Sequence, residues 1–267
     1  MKRKYDLAFA MGRACSCSQA LRAAGLQFAS FPFDWAEPLG PDSLEVLVET
    51  LCNDFAKWFE KEDLVCPSKD EAANWDTSEA DAYHNQRTGF LFPHDFARGS
   101  ELDRDYDEVA KKYRRRIARL YELIKSAKRV LLVRMDTPAL KFVTSANVCV
   151  DARARLMAKF PGVAFDFIYL TIDPSRPFAR RLEEEVSEGV THVAFDYACH
   201  RPGAPGYMTE THQVAKVLHA RAKVRSYLTR EERRNYVMKR RQARWAKYGA
   251  KSFWGYQLAR IRRVFSK

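Results

Sequence analysis

The chain predicts an α/β fold, a three-layer sandwich with a mostly parallel sheet, followed by a basic helical segment at its C-terminus. Three observations carry this. Several strand-length runs are apolar throughout rather than alternating, as strands covered on both faces are. Helical periodicity falls between those runs, the order that βα units produce. At 46% hydrophobic residues over 267 positions, there is enough apolar side chain for a sizeable core without disulfides or disorder.

Residues 5–10 follow three basic residues, end before Gly12, and predict a first, central strand. Residues 16–24 predict a helix stopped by Gly25, so Cys15 sits where a strand turns into a helix. Residues 27–35 read as extended. A helix over 42–59 is capped by Asp42 or Ser43, with Leu44, Leu47, Val48, Leu51, Phe55 and Phe59 on one face. Residues 61–88 are polar and aperiodic, a long loop or irregular excursion, and 89–96 are apolar again. The clearest helix spans 105–127, where Val109, Tyr113, Ile117, Leu120, Tyr121 and Ile124 recur at helical spacing. It leads into an apolar strand at 130–135. Then come a helix at 152–160, a strand at 164–172, a helix at 176–187 and a strand at 190–197. From about residue 211 the chain reads as helical and basic, with breaks at Gly249 and Gly255.

Charge supports a division at that point. Residues 211–267 carry 17 Lys and Arg against Glu231 and Glu232, a net +15, which leaves −3 on the rest of a chain whose total is +12. The expected domains are therefore a catalytic domain over 1–210 and a basic, aromatic-rich extension over 211–267. The six cysteines, Cys15, Cys17, Cys52, Cys66, Cys149 and Cys199, lack a disulfide framework and suit a reducing compartment. The opening residues resemble a lipidated signal peptide, but Asp6 and Arg13 interrupt the apolar run. No run approaches a membrane span. A cytoplasmic protein is expected.

Cys15 is the first candidate for chemistry. At a helix N-terminus the unpaired amides and the positive end of the dipole favour a thiolate, and the same amides suit an oxyanion. A small buried thiol is the plain alternative. Cys15-x-Cys17 has no second pair or His cluster at zinc-like spacing, so no metal and no cofactor are expected. His94, in Phe92-Pro93-His94-Asp95-Phe96, is a candidate base, since imidazole titrates near neutrality and a carboxylate can orient it. Asp95 beside it and Asp34, set among the aromatics of Pro32-Phe33-Asp34-Trp35, are the candidate orienting carboxylates. A charged residue among aromatics can equally cap a turn.

In combination these residues resemble a bacterial family described as papain-like cysteine peptidases. The resemblance rests on Gly12-x-x-Cys15 with Leu21-Arg22 and Gly25-Leu26, on Pro32-Phe33-Asp34-Trp35, on His94-Asp95-Phe96, and on residues 113–120 leading into the strand at 130–134. It implies Cys15 as nucleophile, His94 as its partner, a papain-like α+β fold as the alternative architecture, and an association with surface-polysaccharide biosynthesis. Two features depart from it: a tryptophan-rich ending is replaced by residues 201–206, and the basic tail has no counterpart. The element order also resembles SGNH-type esterases, where a late Asp-x-x-His supplies the base. Here Asp196-x-x-x-His200 is one residue longer, and it makes His200 the runner-up base.

The expected activity is a cysteine-nucleophile hydrolase or acyl transferase acting on an acyl or amide group, which the resemblance makes glycan-linked. Against it stands a scaffold or binding module built on the tail, where Trp245, Tyr248, Phe253, Trp254, Tyr256 and Phe265 interleave with basic residues. Packing on the body ranks first for that tail, a peripheral contact with an anionic membrane at the cytoplasmic face second, and nucleic acid last, since no nucleic-acid motif is present.

Overall fold

The computed structural model describes residues 2–12, 14–66, 80–136, 145–173, 180–196 and 211–246. Cys199, His200, the 201–206 segment and the aromatic residues beyond 246 lie outside the described residues. The chain divides into two compact units, Met1–Arg225 and Ser226–Lys267.

The first unit is mixed α/β around a mostly parallel sheet. Its five strands lie in the order β2 (Leu7–Ala10), β7 (Arg129–Asp136), β8 (Ala164–Asp173), β10 (Val190–Asp196) and β9 (Arg180–Ser187). All are parallel except β9, which runs antiparallel to β10. The expected strand over 5–10 splits at Asp6. Its carboxylate accepts from the backbone N–H of Lys128 and Arg129, at 2.9 and 3.1 Å. Ahead of that break, β1 (Arg3–Tyr5) pairs in parallel with β11 (Ala222–Val224).

Helices cover both faces of this sheet. Cys17, Ala20 and Leu21 of α1 (Ala14–Ala23) share one core with Leu131, Val133 and Met135 of β7 and with Val214, Val217 and Leu218 of α5 (Thr211–Arg221). Strand side chains alternate, so Val130, Leu132 and Arg134 face the other way. On that side α2 (Ser43–Cys52) packs against α4 (Ala146–Lys159), and α4 against β8. Residues 211–225 therefore belong to the first unit, and the division falls later than residue 210. Charge marked them as tail, but burial of Val214, Val217, Leu218 and Val224 and the β1–β11 pairing place them in the body.

A second, antiparallel sheet orders β3 (Glu37–Pro38), β6 (Phe90–Ala97), β5 (Ala80–Asn85) and β4 (Leu64–Val65). Part of the stretch read as a loop over 61–88 is thus strand. Its side chains are too polar and its strands too short for periodicity to register, and cross-strand pairing supplies what local pattern does not. The long helix α3 (Leu102–Ser126) packs on this sheet, starting a turn earlier than the apolar spacing indicated.

Two further expectations fail, one for a local reason and one through strand pairing. The helix expected over 42–59 ends at Cys52, because Asp54, Phe55 and Lys57 take positive φ values. That turn buries Phe55 and Trp58, at 7% and 1% exposure, among aromatic rings. The segment expected as a helix over 176–187 contains the strand β9 instead. Its Arg, Leu and Glu residues favour helix, but Gly189, at φ +78°, reverses the chain so that β9 pairs with β10. Only glycine suits that position, since a Cβ there would lie 2.8 Å from Arg153 Nε.

The second unit contains α6 (Arg230–Ala246), which opens with a capping box. Thr229 N–H donates to Glu232 Oε2 at 2.8 Å, and Glu232 N–H donates to Thr229 Oγ1 at 3.2 Å. Among the described residues no helix is long and apolar enough to cross a membrane.

Trp58 organises the second sheet. Its ring meets Phe33, Phe55, Phe90, Phe92 and Tyr113 edge-on at centroid distances between 5.0 and 6.3 Å. Trp58→Ala is expected to cost about 3–5 kcal/mol, read as a lower midpoint in guanidinium unfolding. A loss under about 1 kcal/mol would show that the rings repack around the gap.

Candidate functional site

The carboxyl edge of the parallel sheet is where open α/β folds present side chains for chemistry, and Cys15 lies there. The ladder between β2 and β7 continues past Ala10. Met11 N–H donates to Val133 O at 2.8 Å, and Met135 N–H donates to Gly12 O at 3.0 Å. Two residues beyond, α1 begins, and Cys15 is its second residue. Its side chain is half-buried, and it is a reduced thiol like Cys17, Cys52, Cys66 and Cys149.

Cys17 and Cys15 have separate fates, as helical geometry requires of residues two apart. Cys17 is fully buried, donates its thiol to Val133 O at 3.3 Å, and has its pKa raised strongly by desolvation. Cys149 is pushed up to about 12 by the same cause. Neither is suited to act as a thiolate.

Under the turn into α1 lies a group the spacing did not single out. Arg134 has no exposed surface. Its Nη1 donates to Met11 O at 3.0 Å, its Nη2 to Ser43 Oγ at 2.8 Å, and its Nε to Asp136 Oδ1 at 3.0 Å. Asp136 is equally buried and accepts from Tyr169 Oη at 3.3 Å. Gly12, at φ +78°, lets the guanidinium lie against the backbone, since a Cβ would meet Arg134 Nη1 at 2.9 Å. The signal available in the sequence was one arginine inside an otherwise apolar strand run.

Asp34 serves α1 from the other side. It is buried in the turn Pro32–Asp34, and its Oδ2 accepts from Arg22 Nη2 at 2.5 Å, Gln27 Nε2 at 2.7 Å and Phe31 N–H at 3.0 Å. Burial pushes its pKa up, against the opposing pull of Arg22 and these donors. Ser18 Oγ lies within donating distance of two carbonyls, Cys15 O at 3.2 Å and Asp34 O at 3.3 Å, which share its single proton. The Cys15 turn and the Asp34 turn are thereby bonded through one hydroxyl. Arg22 also lies over the Trp35 ring, 5.7 Å from its centroid.

His94 is exposed on β6 and meets the Trp35 ring edge-on at 5.8 Å. Its pKa is lowered from the ordinary 6.5 by the desolvation it does undergo there, with Asp95 opposing. Asp95 points away from it, as the next residue on a strand must. There it accepts from Lys112 Nζ and Tyr113 Oη, each at 2.5 Å. Among the described residues neither Asp34 nor Asp95 bonds the His94 imidazole, and no hydrogen bond joins His94 to Cys15. The route between them runs from Cys15 through Ser18 and Asp34 to Trp35. No group of three or more His, Cys, Asp or Glu among the described residues is placed to hold a metal ion.

The chain has no significant match to a curated protein or to a solved structure. A family model does match, over residues 6–174, and that span takes in β2, the Cys15 turn, Asp34, His94 and the strands up to β8. With more than half of its length covered, the chain belongs to the family described as "Putative papain-like cysteine peptidase (DUF1796)".

Proposed function

We propose that this protein uses the Cys15 thiolate to attack an acyl or amide carbonyl, as a hydrolase or an acyl transferase. One observation carries the reading: Cys15 is the second residue of α1, directly past the carboxyl end of β2 in a mostly parallel sheet. Amides of a first helical turn lack intrahelical partners and favour an anion. In the first half-reaction the sulfur forms a bond to the carbonyl carbon, and the oxyanion is held by such amides. His94 takes the thiol proton and returns it to the departing amine or alkoxide as the acyl–sulfur bond is completed. Water or a sugar hydroxyl then accepts the acyl group, so hydrolysis and transfer share this step. The lowered pKa of His94 supports its role, because the neutral imidazole a base requires is then the main form at neutral pH. Asp34 and Asp95 hold the turn and the strand that carry these groups, and a glycan-linked acyl or amide group is the proposed substrate.

Brief iodoacetamide treatment near neutral pH is expected to label Cys15 faster than Cys52 and Cys66, with Cys17 and Cys149 protected by burial. Mass spectrometry of the peptides reads this, and Cys15 labelling no faster than Cys66 would count against a nucleophile. His94 followed by NMR is expected to titrate below 6.5. The sign follows from desolvation of the charged ring, so the base form persists to lower pH and the acid limb of the activity profile lies below the ordinary imidazole value. Titration at or above that value would remove His94 as the tuned base.

A second proposal concerns the partner of α6. Val237 and Met238 are exposed, at 39% and 37%, on a helix that also carries Arg234, Lys239 and Arg241. Apolar side chains beside cations suit an anionic membrane at the cytoplasmic face more than nucleic acid. The protein is expected to sediment with phosphatidylglycerol vesicles and not with phosphatidylcholine vesicles, and Arg234→Glu/Lys239→Glu/Arg241→Glu should abolish this. Retention of single-stranded RNA without vesicle binding would reverse the ranking.

A further inference from the structure

We infer that Arg134 is the positioning residue for Cys15, an inference that rests on Cys15 being the nucleophile. A buried guanidinium must have its donors met, and the groups that meet them are informative here. Nη1 holds the carbonyl of Met11, the last residue but one before the strand-to-helix turn, at 3.0 Å. The same nitrogen walls the space over Gly12, where a Cβ would sit 2.9 Å away. Nη2 reaches the first residue of α2 through Ser43 Oγ at 2.8 Å, and Nε is neutralised by Asp136 at 3.0 Å.

These bonds act on different parts of the chain, so a rigid planar group couples them. Asp136 and Tyr169 anchor it to β7 and β8, and Ser43 anchors it to α2. The remaining nitrogen then dictates where the backbone leaves β2. From Met11 the chain has only Gly12 and Arg13 before α1 begins at Ala14. A shift of the Met11 carbonyl therefore moves the start of the helix, and with it the amides that favour a thiolate at Cys15. The Arg134 charge is balanced by Asp136 and acts on Cys15 through the backbone it grips. Lysine at this position keeps the charge but offers a single ammonium in place of the planar, forked donor set.

The experiment compares wild type, Arg134→Lys and Ser43→Ala by the rate of iodoacetamide labelling at each cysteine across pH, with circular dichroism to establish folding. In Arg134→Lys the midpoint of the Cys15 profile is expected to rise by about one unit, roughly a tenfold slower reaction at neutral pH. Cys17 and Cys149 should stay protected, because their burial reports the packing of α1 and α4 on the sheet rather than the position of the first turn. Ser43→Ala removes one anchor and is expected to shift the Cys15 midpoint in the same direction by less. It remains informative if Arg134→Lys does not fold. An unchanged Cys15 profile in a folded Arg134→Lys protein, or in Ser43→Ala if that is the one that folds, overturns the positioning role. So does exposure of Cys17 and Cys149 together with the Cys15 change, which would mark a purely structural arginine. Wild-type Cys15 reacting no faster than Cys52 and Cys66 instead removes the nucleophile itself, and the inference falls with it.

Discussion

Desolvated charge is the constraint on which the arrangement around Cys15 depends. Arg134 and Asp136 are both without exposed surface, and an ion pair taken out of water gains little over an apolar pair of the same size. What such a pair does impose is geometry, since losing either partner leaves an unmatched charge in the core. The guanidinium must find Met11 O, Ser43 Oγ and Asp136 together. The end of β2, the start of α2 and the end of β7 consequently assume one arrangement relative to each other. Gly12 is part of that solution, since only a residue without a Cβ leaves room for the guanidinium at a positive φ.

Asp34 repeats the principle on the other side of α1. One carboxylate oxygen takes three donors, from Arg22 on the helix, Gln27 beyond it and the Phe31 backbone. Burial opposes the charge and Arg22 supports it, so the carboxylate holds the loop only while those donors are present. Ser18 adds a backbone link from Cys15 to Asp34. The thiol turn is thus held from beneath by Arg134 and from the side by Asp34, while the thiol itself stays at the edge of the sheet.

The antiparallel sheet contributes by rigid apolar packing instead. Phe59, Phe90, Phe92 and Tyr113 surround Trp58 at ring distances that favour edge contacts. Asp95, bonded to Lys112 and Tyr113, joins β6 to α3. His94, on the opposite side of the same strand, is left exposed beside Trp35. A pair of adjacent residues thus divides between structure and solvent.

Local pattern determined much of this protein by itself. Continuous apolar runs marked β7, β8 and β10, and helical spacing marked α3, because burial on both faces or on one stripe writes itself into neighbouring residues. The strand-to-helix turn at Cys15 was legible for the same reason, between an apolar run and the Gly25 stop. The resemblance to the family rested on short motifs, and the match over residues 6–174 is what shows membership. Tertiary structure alone decided the rest. Nothing local distinguishes the Glu-rich β9 from a helix, and only its pairing with β10 through Gly189 makes it a strand. Residues 211–225 joined the body through side chains that meet α1 and β1 far earlier in the chain. Asp34 and Asp95 looked like partners for an imidazole, yet strand alternation and the reach of Arg22, Lys112 and Tyr113 gave them other donors. Arg134 was hidden most completely, because a charge becomes decisive only when folding removes its water, and that depends on residues more than a hundred positions away.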